Sequence, residues 1–330
     1  MQLLLIARYV ALRLLQAIPL LLGIIVINFA LIHAAPGDPV TIMVGPGTVS
    51  KEFIEQVRHD LGLDRPLLVQ FLIYLGNVVQ GDLGNSYVYR QPVIDVVLSR
   101  LPATLLLMGT AYVLAAIVGI ALGVISAVRP RSWIDNLASL LSVIGYSVPA
   151  FWTSFLAILA FALSLRWFPA GGMVDVRSTA TGFGRVLDIL NHMVLPVTVL
   201  TFFYSALIAR LMRASMLEIL QSDYIVMARA KGLSNLRVIL RHALPNALLP
   251  VVTVIGLQFG DLLAGAVLTE TVFAWPGLGR LIIDAAGQRD FPLLMGVFIM
   301  SASLTISANI ITDLLYMIVD PRIRLSGESA

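Results

Sequence analysis

The sequence predicts an all-α, polytopic membrane protein with six transmembrane helices, on three observations. Of 330 residues, 58% are hydrophobic and 12% charged, against roughly 25% charged in an ordinary soluble domain. Mean hydropathy is +0.92. Stretches carrying at most one charge, and of the roughly 20 residues that cross the hydrocarbon at about 1.5 Å each, recur six times. This excludes a cytosolic globular domain and a disordered chain. The absence of cysteine excludes disulfides, thiol catalysis and thiolate metal sites. Four histidines, His33, His59, His192 and His242, are scattered over separate segments and make no metal pattern. The net charge of +3 forms no basic stripe, so the expected surroundings are a lipid bilayer and not nucleic acid.

The first span runs from Leu14 to Ile32 behind Arg8 and Arg13, too long an apolar core for a cleaved signal peptide. The second fills Leu101 to Val128, the third Asn136 to Leu165 and the fourth Ile189 to Ala209. The fifth begins near Ala243 and passes Asp261 to about Leu268; the sixth covers Phe291 to Val319 and contains Asp313. An even count puts both termini on one side. With the N-terminus inside, the shorter inner pieces hold twelve Lys and Arg, and the longer outer pieces ten. That asymmetry predicts cytoplasmic termini.

Residues 34–100 form an extracytoplasmic helical insertion. Ser50 precedes a helical run that Gly62 is placed to end, and Asp64-Arg65-Pro66 starts another. Leu67 to Val79 is apolar but short, which suits an interfacial or protein-packed helix. Gly81, Gly84 and Asn85 mark turns. The insertion either docks a partner or packs as a lid.

The 210–245 segment is cytoplasmic in this topology and holds half of the inner basic residues. Asp223 to Lys231 reads as a helix, and Gly232 sits where a left-handed cap is wanted. Ser234 or Asn235 can cap a second short helix, which Pro245 is expected to break. Two short helices on a glycine turn make a rigid knob that transmits force; the alternative is a basic patch holding anionic headgroups.

The lysines, Lys51 and Lys231, do not fit a phosphate-loop motif, and no hydrolase or metalloprotease motif occurs. The chain is expected to hold no ATPase site, no cofactor and no metal, and not to be an enzyme. Intramembrane carboxylates face a cavity or a partner by default. Asp261 therefore lines a polar path or makes a buried hydrogen bond, with Gln258 and Glu270 as neighbouring path candidates. The turn-rich run Glu270 to Arg280 reads as a re-entrant or outer-face turn with Trp275 at the membrane interface.

Ala228-Arg229-Ala230-Lys231-Gly232, followed by Leu244-Pro245, resembles the EAA loop of ABC importer permeases. Val226, Met227 and His242 depart from the general motif as the peptide-transporter branch does. Further phrases resemble that branch in order: Pro36-Gly37-Asp38-Pro39, Asp223-Tyr224, Arg241 to Asn246, Gly256 to Gly260, Glu270 to Gly279, Arg289-Asp290 and Asp313 to Tyr316 with Asp320-Pro321-Arg322. The chain is thereby similar to the B-type permease subunit of peptide and nickel ABC transporters.

That resemblance implies a type I importer permease of the bacterial inner membrane. It implies three kinds of protein partner: a second related permease, two cytosolic ATPases that bind ATP and Mg, and an extracytoplasmic substrate-binding protein. The coupling loop would comprise Asp223, Tyr224, Ala228, Arg229, Ala230, Lys231, Gly232, Leu244 and Pro245. Di- or oligopeptides are the main substrate reading, with nickel, glutathione or another small solute as alternatives. A self-powered secondary transporter remains a minor alternative, resting on Asp261.

Overall fold

The computed structural model describes residues 2–34, 55, 64–260 and 267–319. Those residues are helical apart from turns and one isolated antiparallel bridge between Asn85 and Pro92. In chain order the helices are α1 (Gln2–Ala34), α2 (Leu67–Val79), α3 (Val93–Val128), α4 (Trp133–Ser147) and α5 (Ala150–Ala157), which continues as a π-helical stretch, Ile158–Ser164. Then come α6 (Phe183–Leu220), α7 (Asp223–Ala230), α8 (Asn235–Arg237), a π-helical turn Val238–Ala243, and α9 (Leu244–Gly260). The last three are α10 (Val267–Val272), α11 (Leu278–Gly287) and α12 (Phe291–Val319). Among the described residues five helices are long and apolar enough to cross a membrane, or six if one bent pair counts as a single span.

That bent pair occupies the third expected span. Asn136 to Leu165 is not one rod: α4 and the α5 segment meet at 105°. Val148 takes an extended backbone and Pro149 occupies the N-cap of α5. Proline forces its predecessor out of the helical region, so hydropathy runs on through a point where the backbone cannot. Pro102 and Pro196, by contrast, lie inside α3 and α6 without ending them.

Two compact units divide the chain, residues 1–102 with 281–306 and residues 103–280 with 307–330. In the first, α2 lies beside the end of α1: His33 Nε2 is 3.1 Å from Gln70 Oε1, and Phe29 meets Phe71 edge-on. The expected turns at Gly81 and Gly84 both have positive φ. Asp290 holds the loop that follows, accepting from Ser86 Oγ at 2.5 Å and from the Val88 amide at 3.1 Å. Its other oxygen accepts from the Leu293 amide at 3.3 Å, in the first turn of α12. The Ser50-initiated helix and the Pro36–Pro39 phrase lie outside the described residues.

In the second unit α6 is the central element, packed against α4, α5 and α9. Its approach to α3 depends on a small residue at every fourth position. A Cβ at Gly119 would come within 2.7 Å of Ile208 Cβ, and one at Gly123 within 2.6 Å of Met212 Cβ. Without a hydrophobic drive between helices in lipid, such close backbone contact is a principal source of association. Asp135 and Arg213 fasten α4 to α6 with parallel bonds of 2.6 and 2.8 Å. Ser132 caps α4 by accepting the Asp135 amide, and Asp135 in turn accepts the Arg131 amide at 2.8 Å.

Candidate functional site

The segment after α6 folds into the helix–turn–helix that the sequence predicts. Ile225 and Ala228, three apart on one face of α7, are buried among Met212, Met216, Val238, Ile239 and Ala243. This inner stripe seats α7 on the ends of α6 and α9. The Lys231 amide donates to Met227 O at 3.0 Å and the Gly232 amide to Arg229 O at 2.9 Å. Gly232 has φ +74°, the left-handed cap that glycine adopts without a Cβ penalty.

A polar triad locks the turn from the other side. Asn246 Nδ2 donates to Tyr224 Oη at 3.1 Å and to His242 O at 3.0 Å. Pro245 does not break the second helix, contrary to expectation. The chain continues from α8 through the π-helical turn into α9. Pro245 is the second residue of α9 and follows directly on that π-helical turn. The widened π turn just before it relieves the clash between the proline ring and an earlier carbonyl.

Of the expected coupling residues, Ala228 is buried, Leu244 is half-buried, and Asp223, Tyr224, Arg229, Ala230, Lys231, Gly232 and Pro245 are exposed. The exposed face of α7 also carries Val226 and Met227, at 56% and 59% exposure.

Gln258's side chain and all of Asp261 lie outside the described residues. Glu270 is fully buried at a different place in the same unit. Thr104 Oγ donates to Glu270 Oε1 at 2.7 Å and accepts from the Leu278 amide at 2.8 Å. Glu270 Oε2 accepts from the Arg280 amide at 3.2 Å. Thr104 and Glu270 thus satisfy the amides at the start of α11, which have no partner within their own helix. Burial raises the Glu270 carboxyl above its ordinary value, and the Thr104 hydroxyl with the Arg280 and Gly279 amides pulls it back.

Trp275 is likewise fully buried and not at an interface: its indole N–H donates to Ala103 O at 2.8 Å among Leu107, Met108 and Leu200. With that donor satisfied internally, the ring has no need of interfacial water. Among the described residues no group of three or more potential metal ligands occurs.

The Asp135–Arg213 pair and Thr104 escaped the sequence reading. Ser132-x-x-Asp135 is a legible helix start, but nothing in the sequence joins it to Arg213, which entered only as a topology charge. Thr104 lies 166 residues from Glu270 and carries no signal.

The family model described as "Binding-protein-dependent transport system inner membrane component" matches residues 119–325, and its N-terminal companion matches residues 6–108. The oligopeptide transport system permease protein AppB of Bacillus subtilis is 44% identical, covering 96% of this chain and 99% of that protein. The dipeptide transport system permease protein DppB of Escherichia coli K12 is 45% identical, over 96% and 98%. An inward-facing structure of the MetNI methionine ABC transporter has a TM-score of 0.53 at 18% identity, covering 69% of this chain and 97% of that one. This last likeness concerns the fold alone. With its helical spans and these matches over nearly its whole length, the chain belongs to the family of inner-membrane components of binding-protein-dependent transport systems.

Proposed function

We propose that this chain is one of two permease subunits of a peptide importer of the ABC class. The carrying observation is the extent of the likeness: 44–45% identity to permeases named for oligopeptides and dipeptides, over 96% of this chain. Both termini and the α7–α9 knob face the cytoplasm in this reading, as the arginine and lysine distribution predicts. A second related permease completes the path, two ATPases bind ATP and Mg beneath, and an extracytoplasmic binding protein delivers the peptide.

The knob is the coupling element. Its buried stripe ties α7 to α6 and α9, so a push on the exposed Val226–Met227 face moves those helices as one body. ATP-driven closure of the ATPases shifts the chain between inward- and outward-open states, and the ligand's differential affinity for the two drives net import. Gln258, Asp261 and Glu270 remain the proposed path residues; for Glu270 the path role would require the α10–α11 junction to open. Nickel, glutathione or another small solute carried by the same architecture is the second substrate reading.

The test is purification of the tagged chain from its native membrane in mild detergent, with partner identification and an ATPase assay. Recovery of a second permease and two ATPases, with hydrolysis stimulated by a peptide-loaded binding protein, is expected. A lone chain with no ATPase activity would overturn the reading.

Gly232 supplies a sharper prediction. Nothing lies within 4 Å of a Cβ placed there, so the cost of a side chain is conformational alone, about 1–2 kcal/mol for the left-handed turn. Gly232→Val should insert and assemble normally yet show ATP hydrolysis without uptake, while Gly232→Asn, which tolerates that backbone, keeps most uptake. Normal transport by the valine variant would remove the knob from the coupling path.

A further inference from the structure

A cleft of about 590 Å³ opens in the second unit between residues 162–177 and the first turns of α6. Its volume suits a small ligand. Arg166, Trp167 and Arg177 line it together with Asp175, Asp188 and His192. The two acids are already engaged with the cleft's own backbone and imidazole. Asp188 Oδ2 accepts from the Asp175 amide at 2.9 Å, and its Oδ1 lies 3.1 Å from His192 Nδ1. Asp175 Oδ1 accepts from the Arg177 amide at 2.9 Å. These bonds shape the loop and leave both guanidinium groups without a hydrogen-bond or ion-pair partner among the described residues.

Arg166 stands at φ +55°, a left-handed conformation uncommon for a residue with a Cβ. Trp167 beside it packs on Phe161, with ring centroids 5.8 Å apart, and gives the cleft an apolar wall. Two unpaired guanidinium groups next to an aromatic face are the donor set that binds a carboxylate.

We propose that this cleft binds the free C-terminal carboxylate of a short peptide through Arg166 and Arg177, with a side chain of the peptide against Trp167. The inference rests on the peptide-importer reading and deepens it. It assigns the chain its own point of substrate recognition on the side where the peptide arrives. Two guanidinium groups beside one ring match a single carboxylate carrying a side chain, where an extended acidic patch of the binding protein would need more cations than these two.

The test uses the complete permease–ATPase complex in nanodiscs without its binding protein. Saturation-transfer NMR measures the affinity of alanyl-phenylalanine and of its C-terminal amide. The free acid should bind about tenfold tighter than the amide, the scale of one charge-assisted contact. In Arg166→Gln/Arg177→Gln the two probes should bind alike, with unchanged elution of the complex by size exclusion.

Equal binding of acid and amide to the unmodified complex, or an undiminished preference in the double variant, overturns the proposal. So does a double variant that loses affinity for the binding protein alone, which would make the cleft a protein-docking surface. A parallel uptake assay with binding protein and ATP keeps the two readings apart. Uptake of peptides by a complex that cannot tell acid from amide sinks only the cleft assignment. A complex with active ATPases and no peptide uptake sinks the importer reading itself.

Discussion

Gly277→Ala should destroy the packing of the α10–α11 junction, because the new methyl would fall on the Glu270 carboxyl group. The neighbouring Gly279 is equally tight: a Cβ there would meet Val267 Cα at 2.5 Å. The carboxyl cannot simply swing away, since it is fully buried and carries the Thr104 and Arg280 donors. Each donor left unsatisfied in such a place costs about 1–3 kcal/mol. Glu270→Ala should therefore lower the thermal midpoint of the purified complex strongly.

The double variant Gly277→Ala/Glu270→Ala should be no worse than Glu270→Ala alone, because the cavity takes the added methyl. Size-exclusion profiles after a temperature ramp measure all three. Additive losses, or a wild-type midpoint for Gly277→Ala, would contradict the geometry. The raised Glu270 value gives a pH signature as well. Its stabilising contribution is fully present below the unfolded value near 4.5 and is lost as pH rises through the higher folded value. Glu270→Gln, which does not titrate, should flatten that part of the melting profile.

Breaking the Asp135–Arg213 pair should be the second large effect, and an asymmetric one. The Asp135 side chain is 3% exposed and that of Arg213 33%. Removing one partner of a buried pair costs roughly 3–5 kcal/mol because the other charge is stranded. Arg213→Ala leaves the more buried of the two groups, the carboxylate, without its guanidinium partner. Asp135→Ala strands a guanidinium that is a third exposed, so screening reduces its cost.

Arg213→Ala should thus be the more damaging change despite removing the more exposed group. Arg213→Lys should fall between it and wild type, because an ammonium cannot reproduce the two parallel bonds. Midpoints of detergent-purified protein settle the order. A lysine variant as stable as wild type would mean that charge alone matters and the forked geometry does not.

Much of the candidate coupling site was legible in advance because its signals are local. Gly232 as a left-handed cap follows from one helix ending and another starting within a few residues; that Ile225 and Ala228 face inward is shown by the structure. Pro245 was misread because a proline's effect depends on its place in the turn. Inside a helix that runs on from α8, it is accommodated by the π-helical widening directly before it. Pro149 shows the complementary limit: hydropathy registers composition, not φ and ψ, and runs through a 105° bend unchanged.

That the chain lives in a bilayer, that it is built of helices and where most of those helices run all follow from the order of its residues. Twenty-residue apolar stretches leave the backbone no other way to satisfy its hydrogen bonds in hydrocarbon. Motif order along the chain determined the family. Only the tertiary structure decided which polar residues find each other: Asp135 with Arg213, Thr104 with Glu270 and the α11 amides, Ser86 with Asp290. It also left Arg166 and Arg177 on a cleft without a partner among the described residues. Such pairings depend on distance in space between segments as much as 204 residues apart. No local propensity encodes that distance; it is set by how the helices pack within each unit.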